Sequence, residues 1–258
     1  MSLYNLSTSI LFHRKLEDYF FSSISQMHWH IGAGIRAYIT GVEADTLNFL
    51  QVINESAQIT EELKSGIQLL DEKGNVPFLI VAVQPSGQIL AVIEQTGFVA
   101  DPDSITTVME LDLTNWQMED EHCGKYEIRC VDHCLPDWAI PLESAFETGD
   151  AISGQYMKCH QAALRAGKCL QHYALYVDEK PVCALTLSRV DNIVRLDDIS
   201  TVKENMRRGY ASALINYVLN EARERGATAC YLEASREGNG VYRRIGFNAL
   251  FECQAFIR

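Results

Sequence analysis

From Asp197 to Ala222 the chain reads DDISTVKENMRRGYASALINYVLNEA, and these residue types suit the binding of an anion. The pattern predicts a strand that runs into a tight loop with Gly209 and the small Ala211, and a helix that starts at once. Small residues there let the backbone approach a ligand closely. The free amides at the start of the helix carry partial positive charge, which makes a pocket for a pyrophosphate. Arg207 and Arg208 add formal charge beside it. Taken alone, Gly-x-Ala before a helix also fits an ordinary strand-to-helix turn. The dinucleotide pattern GxGxxG is not met, because Ala211 stands in the place of the second glycine and there is no third.

A second group of reactive side chains is His122, Cys123, Cys130, His133 and Cys134. Zinc sites use two pairs of ligands two to four residues apart. This cluster does not show that arrangement, and none of the eight cysteines forms a CxxC pair. The group reads as linker plus buried thiols, with no metal.

The elements that would hold the loop follow from periodicity and punctuation. In the first half a helix is expected over 7–25, short extended segments in HWHIGAGIRAYIT, one or two helices over 43–70, and a strand from Phe78 to Val83. A helix over 87–96 ends at Gly97, and one or two closing strands follow. In the second half YEIRCV opens as a strand, helices fill about 135–147 and 151–166, and three strands alternate from His172 to Val202. A helix from about Tyr210 to Arg225 carries Ala211, Leu214, Val218 and Ala222 at helical spacing. Strand ACYLEA, a short helix ending at Ile245 and the last strands complete an α/β layer protein. Strand, helix, Gly-Phe, strand occurs at Phe78–Val99 and again at Cys230–Asn248, which suggests that the two halves share a fold. The polar stretch Leu113–Arg129 marks a domain junction near 117–124, giving domains 1–121 and 122–258.

Apolar residues make up 47% of the chain and charged ones 22%, as in a globular protein. No run of 18 apolar residues and no secretory signal is seen, so a soluble, cytoplasmic protein in a reducing compartment is expected. Residues 1–124 hold 5 Lys and Arg against 17 Asp and Glu, whereas 125–258 hold 17 of each. The acidic surplus argues against nucleic acid, which needs a basic surface. It mildly favours a cationic substrate such as an amine, although a solubilising surface explains it as well.

Two motifs together carry a family resemblance. Met206-Arg207-Arg208-Gly209-Tyr210-Ala211 resembles the cofactor loop of the GNAT superfamily of acetyltransferases, and EASREGNGVYRRIGF resembles its second signature, with Tyr242 four residues before Gly246-Phe247. The resemblance covers about 125–258. The loop departs at Met206, where the family has Gln or Arg, so one side-chain contact is lost while the backbone amides stay. The chain is also similar to a two-part subgroup, through Pro77-Phe78, Pro85-Ser86, Gly97-Phe98 and the strand Met109–Leu113. The first half then reads as a degenerate GNAT-like domain, with no glycine loop before a helix and with Ile93 where the other half has Tyr242.

The resemblance implies a central mixed sheet flanked by helices and direct transfer of an acetyl group from acetyl-CoA to a primary amine, on a small molecule or a protein. The cofactor would lie along Ile199, Thr201 and Val202, with its pyrophosphate at Arg207, Arg208, Gly209, Tyr210 and Ala211. Ser235 and Asn239 are further contacts, or a cap and a turn. Tyr242 is the implied general acid for the CoA thiolate. Asp197 and Asp198 are candidates for the base. Adjacent strand residues face opposite sides, so one of the two should point at the site, and Asp198 is preferred. The rival reading is a CoA-binding module without turnover. Many members of the family dimerise, which leaves a homodimer open.

Overall fold

A computed structural model describes residues 3–73 (side chains from residue 7), 75–118, 126–147 and 149–258. The junction expected near 117–124 falls mostly outside the described residues, as do His122 and Cys123. The first half contains α1 (Leu3–Ile24), β1 (Met27–Ile31), β2 (Ile35–Ile39), β3 (Asn48–Val52), α2 (Ile59–Lys73), β4 (Leu79–Val83), α3 (Gly87–Glu94) and β5 (Val99–Asp112). The second contains β6 (Glu127–Cys130), α4 (Leu135–Phe146), α5 (Gly149–Arg165), β7 (Leu170–Val177), β8 (Lys180–Val190), β9 (Ile193–Thr201), α6 (Tyr210–Glu224), β10 (Ala229–Ala234), α7 (Asn239–Ile245) and β11 (Asn248–Ile257). Among the described residues no helix is long and apolar enough to cross a membrane.

All the strands join one sheet in the order β1-β2-β3-β4-β11-β5-β10-β9-β8-β7-β6. Counted outward from the β11–β5 pair, the order and the directions match on both sides. β4 runs parallel to β3 and antiparallel to β11, and β10 runs parallel to β9 and antiparallel to β5. Each half therefore places its last strand beside the penultimate strand of the other. Val83 pairs with Cys253, and Thr107 with Ala234.

One expectation fails. Residues 43–70 are not one or two helices, because 48–52 form β3 and α2 begins at Ile59. Every residue of β3 is buried. Its two polar residues, Asn48 and Gln51, are buried as well, and their spacing of three fits a helix better than the alternation of a strand.

Helix α6 buries Leu214, Val218 and Leu219 completely against Leu185, Val194 and Leu196 of the sheet. Burial of each such side chain contributes roughly 1.5–3 kcal/mol. That packing fixes the start of the helix relative to β9. Gly209 at φ +82° sets the turn before it, in the left-handed region that glycine enters without steric cost.

On the other face, α1 crosses from the first half and packs against β8, β9 and α5. Its Leu16, Phe20 and Ile24, one turn apart, are buried. So are His13 and Glu17, which meet Arg195 of β9 and Glu233 of β10. Burial holds His13 down at about 3, so the ring is neutral.

Candidate active site

Strand β9 is held by β8 along its length, but it pairs with β10 from Ile193 to Leu196 only. Beyond Leu196 the two parallel strands part, since Glu233 and Ala234 continue along β5 instead. The released edge of β9 carries Asp197–Thr201 and leads through Val202 and a short 3-10 turn (203–205) to the loop before α6.

A β-bulge sits at the point of parting. Ala184 pairs with Ser200 and Thr186 with Asp197, so Asp198 and Ile199 together oppose Leu185. Asp198 takes φ +57°, a left-handed conformation that aspartate tolerates better than most residues. The bulge corrects the expectation that Asp197 and Asp198 face opposite sides. Asp197 Oδ1 accepts from Arg195 Nε at 2.8 Å, and Arg195 Nη1 reaches His13 of α1. Asp198 Oδ1 accepts from the Tyr156 hydroxyl of α5 at 2.8 Å, and its Oδ2 accepts from the Thr186 hydroxyl at 2.7 Å. Both acids thus lie on the α1–α5 face.

Asp198 lines a cavity of about 330 Å³. Its walls are Trp138, Leu142 and Phe146 of α4 and Ile152 and Tyr156 of α5, with Leu47 supplied by the first half. Burial pushes the Asp198 carboxyl up to about 6, against the pull of the Thr186 and Tyr156 hydroxyls. A carboxyl poised near neutrality in the wall of a mainly apolar cavity suits a group that takes a proton from a substrate. The sequence reading missed these cavity walls. The signal was available in the apolar spacing of Trp138 and Leu142 on α4, but an amphipathic helix is more often simple core.

The anion-binding features stand on the opposite side of the parting. Helix α6 starts without a side-chain cap and without an acidic residue in its first turn. Arg207 and Arg208 are exposed beside it, Arg207 at φ +61°. The first amides of α6 and this pair of cations fit the pyrophosphate of a CoA thioester. Tyr210 contributes its amide, not its ring: the side chain is buried against Tyr126, with ring centroids 5.3 Å apart. Ala211 and Ile199 are half-buried, and the Thr201 hydroxyl donates to Cys183 Sγ. Met206, the departure in the loop, is exposed.

Tyr242 lies in the core cluster that lines the parting, and burial raises its phenol above the ordinary range, so it stays protonated. Its ring rests against the backbone of Gly238: a Cβ there would lie 2.9 Å from Tyr242 Cε2. Ser235 and Asn239 are engaged locally. Ser235 Oγ accepts from Gly238 N, while Asn239 contacts Thr107 and Arg243. The Ser235 bond is a turn contact, whereas α7 has no side-chain cap and Asn239 ties it to β5.

Among the described residues one group has the spacing of a metal site. His13, Glu17 and Glu233 offer ligand atoms within 4.8 Å of one another. The Arg195 guanidinium stands 3.3 Å from His13 and 3.6 Å from Glu233 and already supplies a positive charge there.

Residues 136–247 match the model of the acetyltransferase (GNAT) family. The matched stretch, less than half of the chain, contains β9, the loop, α6 and Tyr242. Solved structures agree in fold. A GCN5-related N-acetyltransferase from Kribbella flavida superposes with a TM-score of 0.69 at 13% identity, over 95% of this chain and 93% of that one. One from Sphaerobacter thermophilus gives 0.62 at 16% identity, over 86% and 76%. A tandem GNAT protein from the clavulanic acid biosynthesis pathway gives 0.57 at 12% identity, over 86% and 77%. No curated protein sequence matches the chain.

Proposed function

We propose that the protein is an acyl-CoA-dependent N-acyltransferase that moves acetyl from acetyl-CoA to a primary amine with an apolar body. The observation that carries this reading is the placement of Asp198. One carboxylate, at a bulge where β9 leaves β10, lines a mainly apolar cavity on one side. The uncapped start of α6 stands at the end of the same strand and loop. An ammonium head would reach Asp198 while its apolar body is covered by Trp138, Leu142 and Phe146. The donor thioester would lie along the released edge of β9, where a backbone amide near Ile199 can polarise the carbonyl.

Asp198 takes the proton of the ammonium, and the free amine attacks the thioester carbon. Tyr242, kept protonated by burial, supplies a proton to the departing thiolate. Arg207, Arg208 and the first amides of α6 hold the pyrophosphate and so fix the position of the thioester. The first half contributes Ala44, Thr46 and Leu47 to the amine cavity, so it shapes the acceptor site. No metal takes part in this scheme.

The test is calorimetric titration with acetyl-CoA and with free CoA, followed by thiol release with 2-phenylethylamine as the acceptor. Binding of both cofactors and amine-dependent thiol release are expected. Binding without release from any primary amine would favour a CoA-binding module without turnover. No binding at millimolar cofactor would sink the proposal.

A further inference from the structure

Behind Asp198 lies a line of buried side chains that the scheme above does not use. His160 of α5 and His172 of β7 are both fully buried, and His160 Nδ1 stands 2.8 Å from His172 Nε2. His172 Nδ1 stands 2.8 Å from Asp132 Oδ1, and the His172 amide donates to the same oxygen at 2.7 Å. At the other end, His160 Nε2 has no hydrogen-bond partner and points at Asp198 Oδ2, 3.9 Å away.

The hydrogens along this line follow from one another. Asp132 is a carboxylate, held below its usual range by hydrogen bonds from His172 that outweigh its burial. His172 must then carry its proton on Nδ1, which leaves Nε2 as an acceptor. His160, kept neutral by burial, must donate from Nδ1, which leaves a bare lone pair on Nε2. At rest a lone pair and a carboxylate oxygen face each other, and the gap stays open. A proton arriving on Asp198 turns this repulsion into an O–H to N hydrogen bond.

We infer that His160, locked in this tautomer by His172 and Asp132, is the second proton acceptor of the site and lets Asp198 take two protons in one turnover. The inference rests on the proposed N-acyltransferase reading. An ammonium substrate loses two protons from nitrogen, one before the N–C bond forms and one after. The C–S bond breaks, sulfur takes one proton, and one is released. Asp198 holds a single proton. His160 Nε2 takes the first as its Nδ1 proton moves to His172 Nε2 and the His172 Nδ1 proton moves to Asp132, so no buried imidazolium is held and the Asp198 carboxylate is restored in time for the second. One of the two then replaces the proton that Tyr242 gives to sulfur, and the other leaves with the product. The titratable and charged groups around this line are Tyr156 on α5, Asp198, Asp197 and Arg195 on β9, and Asp132 with Cys130 beside β6.

Two acceptors separate this role from simple packing. 2-Phenylethylamine arrives as an ammonium ion and must lose two protons, whereas phenylhydrazine arrives neutral and must lose one. His160→Gln keeps an N–H toward His172. It is expected to lower kcat about tenfold or more for the first acceptor and less than about twofold for the second, with acetyl-CoA affinity unchanged. Asp132→Asn, away from the core, should show the same selectivity more weakly and serves if the first variant does not fold. Equal slowing of both acceptors would overturn the inference.

Histidine 15N NMR of the unmodified protein gives an independent reading. His160 Nε2 is expected to be unprotonated when Asp198 is ionised, and to shift as Asp198 titrates. An Nε2 that carries a proton throughout would overturn the inference. If the wild type transfers acetyl to neither acceptor, the functional reading falls, and the spectrum alone upholds or overturns the Asp198–His160 pair.

Discussion

The two halves of the molecule repeat one frame, parallel strands joined by a helix, and treat the start of that helix in opposite ways. In the second half, α6 begins at Gly209 with no acidic residue in its first turn, beside Arg207 and Arg208. In the first half, α2 has Glu61 and Glu62 in its first turn. The Glu62 carboxylate accepts from the amides of Ala33 and Gly34 and from the Ser56 hydroxyl. It fills the space so closely that a Cβ on Gly32 would lie 1.9 Å from Glu62 Oε1. The first half thus turns a carboxylate from the start of α2 onto the β1–β2 turn, where it ties helix to sheet. The same contrast holds after the second parallel strand, where Tyr242 reaches the parting while Ile93, four residues before the equivalent Gly-Phe pair, is wholly buried. One backbone frame thus carries a structural joint in the first half and an open helix start in the second.

The sharpest break of this comparison is at the chemistry. Asp198→Asn should lower kcat about 10²–10⁴-fold with acetyl-CoA affinity kept, measured by thiol release and calorimetry. The next is to make the second loop resemble the first. Gly209→Glu sets an acid and a Cβ at a left-handed position, and acetyl-CoA affinity should fall about a hundredfold or more by calorimetry. The Tyr-Ile contrast gives a paired test. Tyr242→Phe should cost about tenfold in kcat with little change in denaturant stability, whereas Ile93→Ala should cost about 2–5 kcal/mol of stability and leave kcat per folded molecule unchanged.

The smallest effect concerns buried acids. Burial pushes Glu233 up to about 7 despite Arg195, whereas in the first half Asp18 is lowered: hydrogen bonds from Tyr38 and His30 outweigh its burial. An acid raised in the folded state binds more protons there than in the unfolded chain. Its contribution is complete below the unfolded value and is lost as pH rises through about 7. Glu233→Gln should therefore gain in Tm over the wild type as pH rises from about 5 to 8. A difference in Tm that is flat with pH would refute the assignment.

Local features of the site were legible in the sequence. Gly209 and Ala211 before a helix, and Tyr242 before Gly246-Phe247, are short-range patterns with a direct backbone meaning, and the structure puts them at the parting of β9 and β10. The β3 strand was not legible, because its buried polar residues Asn48 and Gln51 stand three apart, as on a helix. The bulge was hidden too, since it follows from a register shift against β8 and no glycine announces it. His160, His172 and Asp132 lie 12 and 40 residues apart, and it takes the packing of α5 on β7 to bring them within 2.8 Å. The repeated Gly-Phe signal did mark two similar units. It carried no information about which strand each last strand would join, because that depends on pairing between distant parts of the chain.

The exchange of last strands has a consequence for how the molecule comes into being. Val83 finds its neighbour at Cys253, so the first half waits unfinished while the second is made. Pairings so distant in sequence are entropically slow to form, and until β11 arrives β4 shows a bare apolar edge. Severing the chain between β5 and β6 would leave two fragments, each holding the strand that the other lacks. Made together, such fragments have every reason to find one another, and made apart, each presents an edge ready for a second copy of itself.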